Sequence, residues 1–476
     1  MQSSINVAVI GGGISGLATA YYLERDAAEA RIPLTVTLVE KAPVLGGKIA
    51  TERRDGFIIE GGPESFVTRK PWAWELCQEL GLNERLVGTK NGKNYILHDG
   101  RPAIVPMDPV SFIRSPLLTT NGKLRLFKEP FVEARTDPSD ETLGSFIRRR
   151  LGDEALENLV GPAVGSIYLS DADQMSVQVS FDRFAELERE HGSLVKGMMA
   201  MMRSKRKAGG KNGKEEKKAK PPSFATLQTG LMELVETLAE RIEGDILTGT
   251  GVTEIAYDPT NAPPFSLQLD NGQSLQADIV VLALPGYNMA DLLAPYDEEI
   301  AAELRSVIYN SVTTVTVAFN AAEIRAPFDG FGVVMPAKET SQLLAVEGMS
   351  VKFPHRAPEG QFVLRAFVGG HNAKAAALSD RDLLILVRSE LLSIFGITAK
   401  PTIHSIFRWP QANPQCGVGH LSMMDGIEEQ LGEILPNLYL TGAALRGLGI
   451  PDCVRQAGET TEKVLANIKE TVGPAV

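Results

Sequence analysis

Three glycines, Gly11, Gly13 and Gly16 in IGGGISG, sit between the apolar run INVAVI (5–10) and the Ala- and Leu-rich stretch GLATAYYLERDAAEA (16–30). Strand, G-x-G-x-x-G and helix in that order let backbone N–H groups approach a pyrophosphate resting on a helix N-terminus. Glu40 closes the next apolar run, PLTVTLVE (33–40), 24 residues after Gly16. A carboxylate there accepts hydrogen bonds from ribose hydroxyls. The spacing therefore predicts a dinucleotide site built from Gly11, Gly12, Gly13, Ile14, Ser15 and Gly16, with Glu40 and its neighbour Lys41. A lone glycine triplet is also compatible with a packing turn, but triplet, strand, helix and acid in register favour the dinucleotide. At this level NAD and FAD both fit.

Two further glycine turns separate the alternatives. EKAPVLGGKIAT places Gly46, Gly47 and Lys48 just after the acid, and EGGPESF (60–66) supplies Gly62, Pro63, Glu64 and Ser65. A plain NAD site does not need them, whereas a long FAD lying across its domain does. No Ser-His-Asp set, metal cluster or paired carboxylate stands out, and no general base is assigned. The six histidines are scattered; His420 reads as structural rather than catalytic. Cys77, Cys416 and Cys453 are odd in number and lack CxxC spacing, so neither a disulfide framework nor a zinc site is expected, and a reducing cytoplasm fits.

The elements that must position these groups follow from periodicity. A length of 476 residues exceeds one core and suggests about three modules. Hydrophobic content of 43% and charged content of 22% are ordinary globular values. The net charge of −11 argues against nucleic acid. The N-terminus MQSSINVAVI lacks a basic leader pattern, and no run reaches the roughly 18 apolar residues of a spanning helix. SDETLGSFIRRRLGDEALENLVGPAVGSIYLSDAD (139–173) has helical spacing, SVTTVTVAF and GQFVLRAFV alternate as strands, and Asn271-Gly272 marks a hairpin turn. Residues 203–220 carry nine Lys or Arg against two Glu and have no apolar side chain beyond Ala, which predicts a disordered basic loop.

Pieces of the nucleotide domain recur at the start, middle and end of the chain. The expected fold is therefore α/β: a Rossmann-like FAD-binding domain of discontinuous segments (1–68, 223–286 and 405–476), an inserted α+β substrate domain (69–97 and 287–404), and a mostly helical subdomain (98–222).

VAVIGGGISGLATAYYL, VEKAPVLGGKIAT, EGGPESF, LGSFIRRRLGDE, GSIYLSDAD, FRWPQANPQCGVGH and LYLTGAALRGLGIPDCVRQAG together resemble the porphyrinogen oxidases of heme biosynthesis, within the amine-oxidase and carotenoid-desaturase flavoprotein superfamily. The likeness spans nearly the whole chain and is nearest to the soluble bacterial branch. It implies a second cofactor turn, in which Gly442, Gly449, Ile450, Pro451 and Asp452 lie along the flavin end of FAD. A helix starting near Pro451 would then point its positive end at the flavin. It also implies that Val252 meets the adenine through its backbone and that Trp409 borders the flavin. Cys416 departs from the family pattern, which commonly has an aromatic there; this reads as a packing variation.

The activity implied is six-electron oxidation of coproporphyrinogen III to coproporphyrin III with O2 as acceptor and H2O2 released. Protoporphyrinogen IX is the alternative substrate; amine oxidation, carotenoid desaturation and non-catalytic binding on the same scaffold are more distant ones. Arg69 and Lys70, in FVTRKPW just after the EGGPESF turn, are candidate contacts for substrate propionates. The basic loop leaves open a peripheral contact with anionic lipid or with the next enzyme of the pathway.

Overall fold

The computed structural model describes residues 4–90, 92–106, 108–137, 139–209 and 221–472. A parallel five-stranded sheet runs in the order Asp245–Thr248, β2 (Leu34–Glu40), β1 (Ile5–Ile10), Ile279–Leu282, Leu438–Leu440. Its strands come from three distant stretches of chain. Alternate residues of β1 feed two cores, because successive side chains of a strand face opposite ways. Val7 and Val9 join the core formed with α1 (Ile14–Ala30) and the C-terminal helix Ile450–Val472, while Ala8 and Ile10 join the core beneath the helices Gly286–Leu293 and Glu298–Ser306. Burial on both faces is why β1 from Val7 onward and the strand Ile279–Leu282 read as continuous apolar runs.

The second layer is a seven-stranded sheet in the order Ile403–Gln415, Ile308–Asn320, Gln361–Gly369, Ala345–Gly348, Gly330–Val334, Lys93–His98, Arg101–Ile104. One face packs Val315, Val317, Leu364, Ala366 and Val368 against Leu383, Val387 and Leu391 of the helix Asp380–Phe395. The opposite face carries Thr314, Thr316, Arg365, Phe367 and Trp409, set side by side by the strand register, and it turns toward the first layer. The third unit, helical between Pro109 and Gly209, has its own core of Leu143, Phe146, Ile147, Leu156 and Leu187. Arg150 is fully buried there between Glu129 and Glu188.

Several expectations need adjustment. Residues 403–415 form an edge strand of the seven-stranded sheet and do not belong to the first layer. Pro410 and Pro414 are tolerated because an edge strand does not need every N–H. The helix Trp72–Glu79 buries Ala73, Leu76 and Cys77 in the α1 core, and Arg101–Ile104 extends the larger sheet beyond residue 97. The division into domains that we propose keeps three units and moves these edges. The hairpin at Asn271-Gly272 joins Phe265–Leu269 to Ser274–Ala277, with Gly272 at φ +84; the following DIVVLALP starts a separate strand, Ile279–Leu282, in the parallel sheet. Residues 203–209 of the expected basic loop continue the helix Leu194–Gly209, consistent with the good helix propensity of Lys and Arg. Residues 210–220 lie outside the described residues.

Candidate active site

A continuous cavity of about 1130 Å³ opens at the carboxyl ends of the parallel strands, where Ile10, Glu40, Ala283 and Gly442 contribute to its wall. That is the place where open α/β sheets bind ligands. From there it extends between the two sheets to Arg365, Phe367 and Trp409.

The three fingerprint glycines do different work. A Cβ on Gly16 would stand 1.8 Å from the Gly11 carbonyl oxygen, and one on Gly11, at φ +114, would stand 2.5 Å from that of Ala283. Those two permit the close crossing of strand and helix. A Cβ on Gly13 would meet nothing nearer than Gly47 Cα at 3.9 Å; Gly13 keeps the cavity wall bare for an elongated ligand. Gly13, Ile14 and Ser15 border the cavity directly, while Gly12 and Gly16 lie behind them. A Cβ on Gly62 would fall 1.8 Å from the Lys48 carbonyl oxygen, so the second and third turns are in backbone contact.

Glu40 Oε2 accepts from the Gly12 N–H at 2.6 Å and Oε1 from the Ala42 N–H at 2.7 Å. The carboxylate thus anchors its own loop, with lone pairs remaining for a hydroxyl donor. Lys41, Gly46, Gly47, Lys48, Gly62, Pro63 and Ser65 line the wall, as does Val252. Lys48 Nζ donates to the Ala412 carbonyl oxygen, and burial pushes its pKa down. Glu64 departs from expectation. It turns away from the wall to pair with Lys352 at 2.6 Å. Burial pushes its carboxyl up, but Lys352, Arg365 and Arg356 outweigh this and hold it below the usual carboxylate range.

At the other end Gly442, Gly449, Ile450, Pro451 and Asp452 form one wall and Trp409 another. Trp409 Nε1 donates to the Gly61 carbonyl oxygen at 2.8 Å, and its ring lies 6.4 Å from that of Phe407 at an interplanar angle of 5°. Arg69 and Lys70 both reach the cavity but differ in state. Lys70 Nζ is 2.6 Å from Asp452 Oδ1. Arg69 makes no hydrogen bond or ion pair with any described residue; its charge opposes the rise that burial imposes on the Tyr168 hydroxyl. His420 does not border the cavity: its Nε2 sits 2.9 Å from the carbonyl oxygens of both Ala444 and Leu445, and burial pushes its pKa down. Cys416 is likewise off the wall and fully buried, with its thiol pushed up to about 12 by burial.

Against known families, the description "Flavin containing amine oxidoreductase" matches residues 14–465. The chain belongs to this family. It is a flavin-dependent oxidoreductase whose cofactor is FAD. Among curated relatives it is 35% identical to the coproporphyrinogen III oxidase of Bacillus subtilis, over 95% of this chain and 96% of that one. It is 29% identical to the coproporphyrinogen III oxidase of Staphylococcus aureus, over 97% and 99%. A crystal structure from Exiguobacterium sp. 255-15, provisionally named a protoporphyrinogen oxidase, superposes with a TM-score of 0.85 at 32% identity over 98% of this chain and all of that one.

The bare wall at Gly13, the backbone contacts of the glycine turns and the length of the cavity fit an FAD. Sequence reasoning missed several flavoprotein wall residues: Tyr168, Leu169, Thr314, Arg365, Phe367 and Gly447. Tyr168 and Leu169 lie in the GSIYLSD stretch, which carried a family signal but no residue role. Leu169 adopts φ +56, a left-handed backbone that nothing in its side chain announces and that costs on the order of 1 kcal/mol.

Proposed function

We propose that this flavoprotein oxidises coproporphyrinogen III to coproporphyrin III with O2 as acceptor. The observation that carries the reading is 35% identity to a coproporphyrinogen III oxidase across 95% of the chain; the elongated cavity, with Arg69 on its wall unpaired among the described residues, supports it. Conversion of the four-pyrrole ring removes six electrons and six protons in three two-electron rounds, reducing three O2 to three H2O2. Bound FAD would supply the two-electron acceptor for each round and the route of those electrons to O2.

The chain itself binds, orients and excludes water. Gly11, Gly13, Ile14, Ser15, Glu40 and Val252 would hold the adenosine end, with Gly12 and Gly16 shaping the turn behind them, and Gly442 with Gly449 to Asp452 the flavin end. Val67, Leu169, Val179, Phe367 and Trp409 offer apolar walls to a flat macrocycle, which is how a site lowers a barrier by positioning. Arg69 is the propionate contact we favour, because its guanidinium has no competing partner among the described residues. Lys70, held by Asp452, ties the FVTRKPW segment to the flavin-end turn.

Aerobic turnover of coproporphyrinogen III and protoporphyrinogen IX side by side tests the reading, followed by porphyrin fluorescence and H2O2. Preference for the tetrapropionate supports it; preference for the dipropionate moves the enzyme one reaction later. A yellow protein that oxidises neither removes the porphyrinogen reading.

No helix among the described residues is long and apolar enough to cross a membrane. Peripheral contact is nevertheless part of the proposal. Phe127 and Phe131 are 62% and 87% exposed, Val110, Ile113 and Leu124 are exposed on the helices Pro109–Arg114 and Thr120–Phe127, and Met198 and Met202 on the helix Leu194–Gly209, whose last residues begin the basic run. An apolar patch flanked by Lys and Arg matches an anionic lipid surface. Vesicles containing anionic lipid are expected to sediment the protein at least ~10-fold more than neutral vesicles, and Phe131→Ser with Met202→Ser to abolish the difference. Equal partition onto both vesicle types would leave the patch to a protein acceptor of the product, and co-sedimentation with the next enzyme of the pathway would identify it.

A further inference from the structure

The cavity wall contains a buried cation that the proposed chemistry does not use. Arg365 is 2% exposed and lies on the sheet face that meets the cavity, between Thr316 in register on one neighbouring strand and Glu347 on the other. Its Nη2 donates to the carbonyl oxygens of Gly61, at 2.9 Å, and Gly62, at 2.6 Å. The Gly61 oxygen also accepts from Trp409 Nε1 at 2.8 Å and Thr314 Oγ1 at 3.0 Å. Three donors, one of them cationic, therefore converge on a single carbonyl of the EGGPESF turn, more than its two lone pairs ordinarily serve. Such convergence fixes the turn and saturates the Gly61 carbonyl, while the Gly62 carbonyl accepts one bond, from the cation.

The charge balance around Arg365 is uneven. Three acids and three bases cluster behind the turn. Lys352 sits 2.6 Å from Glu64 and 2.5 Å from Glu347, and Arg356 sits 2.9 Å from Glu60. The nearest carboxylate to Arg365 is Glu347, 4.0 Å from Nη1 and already engaged by Lys352. Arg365 Nε is buried without a partner among the described residues. Of the six groups Arg365 alone borders the large cavity. The member whose direct partners are neutral carbonyls is thus the one that faces the ligand, in surroundings where charges are poorly screened.

We propose that Arg365 is a positioning residue for the redox ring of FAD. It locks the Gly61–Gly62 turn in place and contributes a positive charge to the wall, which favours the more negative reduced form of the cofactor over the oxidised one. The inference rests on the assignment of FAD to this cavity and is independent of which substrate is oxidised.

The test uses the purified holoprotein without porphyrinogen. In Arg365→Met the preference for reduced over oxidised FAD is expected to fall about tenfold, a shift of about 30 mV to more negative midpoint potential for a two-electron couple. The visible flavin bands should shift as well. Arg365→Lys keeps the charge but cannot bridge both carbonyls, so it restores the potential and not the bands. In turnover, Arg365→Met lowers kcat and leaves KM within about twofold, as expected when the loss concerns the chemical step. A wild-type potential and spectrum in Arg365→Met, whatever its thermal stability, would overturn the proposal and make Arg365 a packing residue. Should Arg365→Met not fold, Arg365→Lys decides alone: altered bands at an unaltered potential support the proposal, and any other combination refutes it. A colourless wild type that cannot be reconstituted would instead contradict the FAD assignment.

Discussion

Gly16→Ala is expected to yield a colourless protein. Its Cβ would lie 1.8 Å from the Gly11 carbonyl oxygen, 3.0 Å from the Gly11 carbonyl carbon and 3.3 Å from Ala283 Cβ. Real contacts of this kind need more than 3 Å, so the strand-to-helix turn has to open by over an ångström. It has nowhere to go. Gly11 N–H is held by the Val39 carbonyl oxygen at 2.8 Å, and Gly11 itself is pressed against Ala283. Overpacking of this sort costs roughly 1–3 kcal/mol in the fold. A turn shifted this far no longer aims its N–H groups at the pyrophosphate, and a ~100-fold loss of FAD affinity corresponds to about 2.7 kcal/mol. Gly13→Ala separates the two effects. Its Cβ touches nothing within 3.9 Å, so the apoprotein should melt like wild type while FAD binding weakens because the methyl enters the cavity. Flavin absorbance per protein, titration calorimetry and melting of the apoproteins read both variants. A yellow Gly16→Ala with wild-type affinity would mean that the dinucleotide does not rest on this turn.

These glycines were legible in the chain because each answers a local demand: a tight turn, a backbone crossing, a bare wall. Glu40 was legible as an acid closing a strand, and its oxygens accept from the Gly12 and Ala42 N–H groups, which the sequence did not announce. Arg365 was not. Its partners Gly61 and Gly62 lie about 300 residues away in sequence, and alternation in GQFVLRAFV places it on a face without saying what that face meets. Glu64 failed for the converse reason. It stands inside a glycine-rich motif, yet Lys352, 288 residues away, draws it off the wall. The stretch from 405 was expected in the nucleotide layer with the rest of the C-terminal segment, whereas residues 403–415 pair at the edge of the larger sheet, a partnership made across about 100 residues that nothing local announces. Local geometry can be read along the chain, but which charge meets which is decided by the packing of the two layers.

Arg69 and Lys70 are adjacent in sequence and are expected to respond in different kinetic constants. Arg69 is exposed at the cavity and engages no acid among the described residues, so a substrate carboxylate meets a guanidinium that none of them holds. Arg69→Ala should raise KM for coproporphyrinogen III by ~10- to 100-fold, about 1.4–2.8 kcal/mol, with kcat changed by less than about threefold, the signature of lost uniform binding. Lys70 is already neutralised by Asp452, whose side chain is 11% exposed at the start of the C-terminal helix. Lys70→Met leaves that carboxylate without its cation in the first turn of the helix, beside the flavin-end glycines. Breaking a fully buried pair costs about 3–5 kcal/mol. Lys70 is 27% exposed, so solvent reduces the loss to roughly 1–2 kcal/mol. That loss should appear in FAD affinity and in kcat, with KM nearly unchanged. Asp452→Asn combined with Lys70→Met should recover part of it, because the uncompensated charge is gone, whereas adding Asp452→Asn to Arg69→Ala should recover nothing. Steady-state kinetics on the four variants, with FAD titration of each, distinguish the roles. If Lys70→Met raises KM and Arg69→Ala does not, the ion pair must open to admit the substrate, and the propionate contact belongs to Lys70.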